Sequence, residues 1–367
     1  MTTHERYMAR ALRLARRALG QTSPNPMVGA VIVERGRIVG AGYHRQAGLP
    51  HAEVEALRRA GTSARGATLY VTLEPCNHTG RTPPCCETIV RAGVARVVAA
   101  MRDPNPRTHG RGFRRLRQAG VEVVAGVLES DARLLNAPFC KVMTTGLPFV
   151  VAKVGQSLDG KIATRSGASR WITSAAARRM GHGLRAHADA ILVGVKTVLQ
   201  DDPRLTARGG RSRLGRPLKV IVDSRLRTPA GARCVSVQSP APTLIATTPA
   251  ASRAARASLS RRAVEVLTLP AHQGRVPLHL LFRELARRGV HSVLIEGGGE
   301  VLASALEARL VDRLVMCIAP MLIGGRDAPS SVGGQGVAHL RDAVRVADVT
   351  TKRLGPDLCI EGRVVYP

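Results

Sequence analysis

Aromatic side chains are scarce in this 367-residue chain, in which Phe, Tyr and Trp together make up 2% of the residues. So few aromatic rings leave few platforms on which single-stranded bases could stack. Long apolar runs are missing too, because no stretch approaches the roughly 18 residues of a membrane-spanning helix. The first 17 residues mix charged and apolar positions and lack the apolar centre of a signal peptide. The sequence therefore predicts a cytoplasmic protein without a membrane partner.

Acidic residues are also few, since 26 Asp and Glu stand against 55 Lys and Arg and give a net charge of +29. A basic balance of this size is typical of proteins that bind phosphates, nucleic acids among them. Here the positive charge is spread along the chain, mostly as Arg, and there is no dense basic tail. The pattern favours a solvated surface and phosphate-bearing small ligands, and no nucleic-acid partner is expected.

Seven cysteines are spread over the chain without the spacing of a small disulfide-linked domain. Two of them belong to the pattern that carries the chemistry: His51-Ala52-Glu53, then Pro75-Cys76, then Pro83-Pro84-Cys85. One imidazole and two thiolates form a set that zinc prefers, and three protein ligands leave a fourth position open for water. Such a water ionises near neutral pH, and an unligated Glu53 can move its proton. This arrangement is the signature of zinc-dependent base deaminases.

The spacer between the two thiols departs from the generic signature, because eight residues separate them where two are usual. The spacer carries His78 and Arg81, which suit a polar, anionic substrate. His78 could compete as a ligand, although the flanking prolines favour Cys76 and Cys85. Cys86 is a second alternative, but it directly follows Cys85 and is expected to point elsewhere.

Two further loops carry polar residues that could face a pyrimidine. Asn25 lies between two prolines and can both donate and accept hydrogen bonds at the edge of a base. Asp103 and Asn105 form a similar loop after a predicted strand. Each loop is equally typical of simple turn chemistry, so the residues alone leave both interpretations open.

The length exceeds that of one ordinary domain and predicts two, residues 1–146 and 147–367, because the pattern restarts near Gly146. The first domain should contain helices at 3–19, 52–59, 83–90 and 112–119 and strands at 28–33, 37–41, 68–73, 94–99 and 121–125. The second should contain helices at 175–186, 278–288 and 300–308 and strands at 149–154, 190–193, 218–222, 243–247, 292–295 and 314–318. Such alternation predicts α/β domains with a mostly parallel sheet covered on both faces. Residues 209–216 are predicted to form a flexible loop.

The second half has weaker chemical signals. The single Trp, Trp171, stands between polar residues rather than in an apolar run, which favours a ligand-facing position. Gly297-Gly298-Gly299 lies between a predicted strand and a predicted helix, where backbone N–H groups can approach a phosphate. The spacing does not match the dinucleotide fingerprint of Rossmann folds. Adjacent Asp201 and Asp202 are more typical of a cap or turn than of a metal site.

Together these motifs resemble the bifunctional deaminase/reductase family of riboflavin biosynthesis, and the long Cys-to-Cys spacer is the most specific of them. The resemblance covers nearly the whole chain. It implies a cytidine-deaminase-like α/β/α domain followed by a dihydrofolate-reductase-like α/β domain, with Zn2+ and NADPH as cofactors. The substrate implied is a phosphorylated pyrimidine, which is first deaminated and then reduced from ribosyl to ribityl.

The resemblance also implies roles for individual residues. In the first domain His51, Cys76 and Cys85 are zinc ligands, Glu53 is the catalytic proton shuttle, and the substrate pocket includes Asn25, His78, Arg81, Asp103 and Asn105. In the second domain the NADPH-binding set is Gly155, Trp171, Thr197, Asp201, Gly298, Gly299, Glu300, Val301, Leu302, Ala303 and Ser304. Its substrate-binding set is Ser169, Arg185, Leu205, Arg208 and Glu296, with Lys153 and Asp159 near the reducible carbon. A homo-oligomer is expected.

Two other functions remain open on the sequence. A zinc-dependent nucleic-acid base deaminase with an accessory α/β domain would explain the net charge and would show salt-sensitive affinity for RNA or DNA. A zinc-stabilised scaffold would bind a partner without turnover and would unfold on zinc removal. Scarce aromatic residues argue against the first, and an intact Glu53 argues against the second.

Overall fold

A computed structural model of the chain describes residues 1–79, 83–207, 217–236, 241–260, 262 and 264–367. The chain folds into two compact units, Met1–Gly146 and Leu147–Pro367. The division coincides with a helix end at which Gly146 adopts a left-handed conformation with φ 70°. The predicted flexible loop at 209–216 lies outside the described residues.

The first unit holds a five-stranded sheet and six α-helices in its described residues. The strands are β1 (Gly29–Glu34), β2 (Arg37–Tyr43), β3 (Thr68–Val71), β4 (Arg96–Ala99) and β5 (Glu122–Ala125). They lie in the order β2-β1-β3-β4-β5, with β1 antiparallel to both neighbours and β3, β4 and β5 parallel. The helices are α1 (Thr3–Arg16), α2 (Ala52–Ala60), α3 (Cys85–Arg91), α4 (Arg111–Gln118), α5 (Glu129–Leu135) and α6 (Ala137–Thr145).

Helix α2 is held against the sheet by glycines of β2. A Cβ atom at Gly40 would stand 2.3 Å from the carbonyl oxygen of Ala56, and one at Gly42 would stand 2.7 Å from that of Ala52. The backbones of the helix and strand therefore approach more closely than any side chain would allow. This contact fixes the N-terminal turn of α2, where two of the predicted site residues lie.

The second unit contains a nine-stranded sheet in the order β10-β9-β8-β7-β11-β6-β12-β14-β13. Its strands are β6 (Phe149–Ser157), β7 (Ala190–Gly194), β8 (Leu218–Val222), β9 (Thr243–Thr247), β10 (Val264–Thr268), β11 (Ser292–Glu296), β12 (Arg313–Ala319), β13 (Arg345–Leu354) and β14 (Asp357–Val365). The strands from β10 to β12 are parallel, and β14 and β13 are antiparallel to their neighbours. The helices are α7 (Ala175–His187), α8 (Val195–Asp201), α9 (Arg253–Ser260), α10 (Leu278–Arg287) and α11 (Gly299–Glu307).

Both faces of this sheet are buried in its central part. Along β7, Ala190 and Leu192 belong to one hydrophobic cluster, whereas Ile191 and Val193 belong to another. Since successive side chains of a strand point to opposite faces, each face of the sheet packs against its own core. The predicted α/β class and the mostly parallel, doubly covered sheet are confirmed.

The C-terminal hairpin of β13 and β14 was not predicted from the sequence. Most residues of β13 are exposed, and the register between the two strands shifts between Ala347 and Thr350. An edge strand of this kind carries no regular alternation of apolar and polar residues, which is the signal that predicts a strand. No helix in the described part of the chain is long and apolar enough to cross a membrane.

Candidate metal centre and reductase cavity

Three elements of the first unit bring the predicted metal ligands together. His51 is the residue before α2 and Cys85 is the first residue of α3, as their positions in the sequence predict, while Cys76 follows β3 in an irregular segment. The Nδ1 atom of His51 lies 3.7 Å from the Sγ atom of Cys76 and 3.1 Å from that of Cys85. All three donor atoms lie within 4.8 Å of one another.

The donor atoms fit a tetrahedral zinc ion. Zinc–sulfur and zinc–nitrogen bonds of ordinary length at a tetrahedral angle place N and S about 3.6 Å apart. The two N–S distances lie on either side of that value. Cys86 is fully buried and its thiol donates to the carbonyl oxygen of Pro75, so it points away from the cluster. The structure thus brings Cys85, and not Cys86, together with His51 and Cys76.

The hydrogen bond between the two clustered thiols shifts their pKa values in opposite directions. The hydrogen bond from Cys85 lowers the pKa of Cys76 to about 4. The same bond, together with burial, raises the pKa of Cys85. A divalent cation between the two sulfur atoms is what would allow both to be thiolates, because metal binding displaces thiol protons.

Glu53 lies in the first turn of α2 and is 4% exposed. Burial raises the pKa of its carboxyl group, and the neighbouring His51 opposes that shift. Glu53 lines the same cavity as His51 and Cys76, a space of about 380 Å³. A carboxyl group in this position can carry a proton beside the metal ligands without being a ligand itself.

Asn25 is held in that cavity by a histidine that the sequence analysis missed. The amide nitrogen of Asn25 lies 3.1 Å from Nε2 of His44, whose Nδ1 atom lies 3.2 Å from the carbonyl oxygen of Pro50. Since a carbonyl only accepts, His44 donates through Nδ1 and accepts from Asn25 through Nε2. The amide oxygen of Asn25 and one of its N–H groups are then left for a ligand. His44 directly follows β2, and its place at a strand end was the signal that could have revealed it.

Asp103, Asn105 and His78 line the same cavity. Asp103 is 7% exposed, and burial raises its pKa to about 6. Its carboxylate accepts a hydrogen bond of 2.9 Å from the backbone N–H of Asn105. The Nδ1 atom of His78 lies 3.5 Å from the hydroxyl of Thr108. Arg81, the remaining predicted residue of this pocket, lies outside the described residues.

Glu74 organises these loops and was also missed by the sequence analysis. It is 3% exposed and accepts backbone hydrogen bonds from Asp103 at 3.2 Å, Gly110 at 2.9 Å and Phe113 at 3.2 Å. The carboxylate therefore ties the Asp103 loop and the start of α4 to the segment that carries Cys76. Its position directly before Pro75-Cys76 was the available signal.

The second unit has a larger cavity, of about 1610 Å³, beside the carboxyl ends of its central parallel strands. Arg185 on α7 donates from Nε to Glu296 at the end of β11 over 2.7 Å, and it also donates to the carbonyl oxygen of Thr206. Lys153 of β6 is close by, because a Cβ atom at Gly181 would lie 3.8 Å from its Nζ atom and 3.9 Å from Glu296 Oε1. Two cations and one carboxylate thus meet at one end of the cavity.

The glycine-rich turn lies between β11 and α11 in the same cavity. Gly297 and Gly298 have φ of 79° and 82°, and a Cβ atom at Gly299 would stand 2.5 Å from the carbonyl oxygen of Ser330. The hydroxyl of Thr197 lies 3.5 Å from the place that a Cβ atom at Gly298 would take. A bare backbone at a helix N-terminus with a hydroxyl beside it fits the pyrophosphate of a dinucleotide.

Trp171 is 66% exposed and lines this cavity, with the guanidinium of Arg178 4.3 Å from its ring centroid. The hydroxyl of Ser169 donates to Asp201 over 2.7 Å, and the guanidinium of Arg170 donates to the carbonyl oxygen of Asp201. Asp202 ends α8 and accepts from the backbone of Arg233, a turn role that the sequence predicted. Arg178 had no recognisable signal in the sequence.

Most, but not all, of the predicted residues of the second half line the cavity. Those that do are Lys153, Gly155, Ser169, Trp171, Arg185, Thr197, Asp201, Leu205, Glu296, Gly298, Gly299, Glu300, Val301, Leu302 and Ser304. Ala303 is buried within α11 instead. Asp159 is exposed and its carboxylate accepts from Ser157, Ile323 and Gly324, which lowers its pKa to about 2. Arg208 lies outside the described residues.

Comparison with known proteins identifies the family of the chain. The family described as cytidine and deoxycytidylate deaminase zinc-binding region matches residues 1–101, and the RibD C-terminal domain family matches residues 148–360. The riboflavin biosynthesis protein RibD of Escherichia coli is 46% identical over 97% of this chain and 98% of its own length. The chain belongs to the RibD family. The RibD protein of Aquifex aeolicus is 44% identical over 96% of both chains.

Solved RibD structures share the fold throughout. A RibD structure from Acinetobacter baumannii covers 99% of both chains at 37% identity, with a TM-score of 0.88. A protein from Thermotoga maritima, named as a diaminohydroxyphosphoribosylaminopyrimidine deaminase and 5-amino-6-(5-phosphoribosylamino)uracil reductase, covers 99% of both chains at 34% identity and a TM-score of 0.84. As a RibD protein the chain is a bifunctional enzyme of riboflavin biosynthesis, with a zinc-binding deaminase region in its first unit and a reductase domain in its second. The resemblance and the two cofactors, zinc and NADPH, are confirmed.

Proposed function

We propose that the chain catalyses two consecutive reactions on one phosphorylated pyrimidine. The first is hydrolytic deamination of 2,5-diamino-6-hydroxy-4-(5-phosphoribosylamino)pyrimidine, and the second is reduction of its ribosyl chain to ribityl with NADPH. The observation that carries the proposal is the cluster of His51, Cys76 and Cys85 beside buried Glu53 in one cavity. The activities in the name of the Thermotoga maritima relative support this choice of substrate.

In the first unit His51, Cys76 and Cys85 hold the zinc ion. When bound, zinc lowers the pKa of a water molecule and so supplies a nucleophile at neutral pH. Glu53 takes up a proton at its carboxylate and delivers it to the departing amino nitrogen, which leaves as ammonia. A carbonyl group replaces the amino group on the ring.

The remaining cavity residues orient the substrate. Asn25 presents an amide oxygen and an N–H group to the edge of the pyrimidine, and His44 fixes that orientation. Asp103 and Asn105 lie in the same cavity, where their polar groups can pair with the ring substituents. His78 and Arg81 belong to the spacer between the two cysteines, and we assign them to the phosphoribosyl group.

In the second unit the glycine-rich turn would hold NADPH, which supplies the hydride when bound. The cofactor contacts are Gly155, Trp171, Thr197, Asp201 and the run Gly298–Ser304, in which Ala303 contributes backbone alone because its side chain is buried. Ser169, Arg185, Leu205, Arg208 and Glu296 hold the phosphoribosyl substrate. Lys153 donates the proton that accompanies hydride transfer, because its ammonium group reaches the cavity whereas the Asp159 carboxylate does not.

The same proposal covers partners and location. The enzyme works as a homo-oligomer in the cytoplasm and needs neither nucleic acid nor membrane. Its net charge of +29 then serves phosphate-bearing small ligands. The alternative, a nucleic-acid base deaminase, gives no role to a RibD C-terminal domain that spans residues 148–360.

Incubation of the purified chain with the pyrimidine substrate, with and without NADPH, tests the proposal. We expect ammonia release in both samples, and NADPH oxidation after ammonia release in the sample that contains it. Ammonia release from single-stranded DNA or RNA but not from the pyrimidine would instead favour the nucleic-acid deaminase. Turnover of neither substrate by zinc-loaded protein would contradict both.

A further inference from the structure

The large cavity of the second unit runs along four adjacent parallel strands, in the order β6, β11, β7 and β8. Arg185 and Glu296 lie at the β6 and β11 end, and the glycine-rich turn follows β11. Neighbouring strands are about 4.8 Å apart, so the end of β8 lies roughly 10 Å from the glycine-rich turn. A dinucleotide with its pyrophosphate on that turn and its nicotinamide beside Glu296 must place its adenosine near the end of β8.

The segment after β8 is a rigid turn. Asp223 is fully buried, and its carboxylate accepts from the backbone N–H of Thr228 at 2.7 Å and from the Thr228 hydroxyl at 2.8 Å. The backbone N–H of Leu226 donates to the carbonyl oxygen of Asp223 over 3.0 Å, and the hydroxyl of Ser224 accepts from Val276 at 3.1 Å. Hydrogen bonds therefore hold both neighbours of Arg225 in place, which sets the direction in which its side chain leaves the backbone. The Arg225 side chain itself is exposed.

Arg225 also has an uncompensated charge. It lines the cavity, and no carboxylate among the described residues forms an ion pair with it. Arg275, another cation of the lining, is paired with Glu300 at 3.4 Å. Arg227 is exposed, lines the cavity and likewise has no ion pair among the described residues, but it stands two residues further along the turn, beyond buried Leu226. An unpaired guanidinium beside the expected ribose is suited to a phosphate monoester, which it can bind through two parallel hydrogen bonds.

We propose that Arg225 binds the 2′-phosphate of NADPH and sets the preference of the reductase for NADPH over NADH. This inference rests on the reductase function proposed above. The other cofactor contacts are common to the two dinucleotides, because only the 2′-phosphate distinguishes them. Loss of one charge-assisted contact to that phosphate should weaken NADPH binding about tenfold to hundredfold and leave NADH binding unchanged.

The test measures dissociation constants for NADPH and NADH with the full-length protein, by quenching of Trp171 fluorescence. Trp171 is the only tryptophan and lies in the same cavity, so the signal comes from this site alone. In Arg225→Gln the NADPH-to-NADH affinity ratio should fall about tenfold to hundredfold, and Arg225→Lys should retain part of it because the charge remains. Competition by 2′,5′-ADP should weaken in parallel, whereas competition by 5′-AMP should not.

Two control variants locate the effect. Arg283→Gln removes an exposed charge from α10 outside the cavity and should leave both dissociation constants unchanged. Arg227→Gln should lower the ratio less than Arg225→Gln. An unchanged ratio in a folded Arg225→Gln protein, or a larger loss in Arg227→Gln, overturns the assignment of Arg225 alone. Failure of the wild-type protein to bind either dinucleotide overturns the reductase function as well.

Discussion

Glu74 lines the deaminase cavity and should be essential to it, although it is not one of the three clustered metal-ligand candidates. Replacement by Gln keeps the size of the side chain but puts an amide NH2 group where Oε2 now accepts from Asp103 and Gly110. Each buried donor left unsatisfied costs about 1–3 kcal/mol. Because Gly110 is only half-buried, we expect Glu74→Gln to lower the free energy of unfolding of the first unit by about 2–4 kcal/mol.

Urea titration with a separate reporter for each unit measures this effect. Ammonia release reports the first unit, and Trp171 emission reports the second. With a denaturant slope of about 2 kcal/mol per molar, the midpoint for loss of ammonia release should fall by about 1–2 M. The Trp171 transition should stay where it is in the wild-type protein.

Glu87 provides a matched control for the same substitution. It is partly exposed on α3 and binds Arg115 through two hydrogen bonds near the surface, where ion pairs contribute little to stability. Glu87→Gln should therefore leave the midpoint of the first unit nearly unchanged. If Glu74→Gln behaves like Glu87→Gln, or if both units shift equally, the proposed role of Glu74 in organising the loops is wrong.

Three further predictions concern the same unit. Cys85→Ser should reduce bound zinc from about one per chain to near zero, whereas Cys86→Ser should retain it, as metal analysis of purified protein would show. Burial raises the pKa of Asp103 to about 6 from a usual 3.8, so the folded state keeps a proton that the unfolded state releases. The free energy of unfolding that this proton contributes is lost as the pH rises from 3.8 to about 6. The difference in free energy of unfolding between wild type and Asp103→Asn should therefore change over that pH range and stay constant above it. A Cβ atom at Gly112 would stand 2.0 Å from the carbonyl oxygen before Cys76, while one at Gly183 meets nothing within 4 Å. Gly112→Ala should therefore lower the melting temperature and zinc content, and Gly183→Ala should do neither; a tolerated Gly112→Ala would contradict the packing.

Local patterns in the sequence indicated which side chains the fold brings together at the candidate metal centre, namely His51, Cys76 and Cys85. His51 and Cys85 mark helix starts, and proline and periodicity signal helix starts over a few residues. The strands of both sheets up to β12, apart from β10, were likewise predicted within a few residues because buried strands form compact apolar runs. The short helices α5, α6, α8 and α9 were not predicted, so local patterns revealed the buried strands and the longer helices better than the short surface helices.

Contacts between distant segments were not accessible in this way. Asp159 was expected near the reducible carbon, yet its carboxylate accepts from Ile323 and Gly324, which come more than 160 residues later. The contacts of Glu74, and the turn that carries Arg225 and its proposed role, likewise depend on loops that meet only in the folded chain. Periodicity and residue spacing do not predict contacts between such distant segments, so these contacts could be identified only from the folded structure.

Ammonia release and NADPH oxidation by Glu53→Gln test the central claim, that one chain carries two separate active sites. Glu53→Gln keeps the buried volume but removes the proton carrier, so ammonia release should fall by about 10²–10⁴-fold with zinc still bound. NADPH oxidation on the already deaminated substrate should remain at the wild-type rate. Equal loss of both activities in a folded, zinc-loaded Glu53→Gln protein would contradict the account.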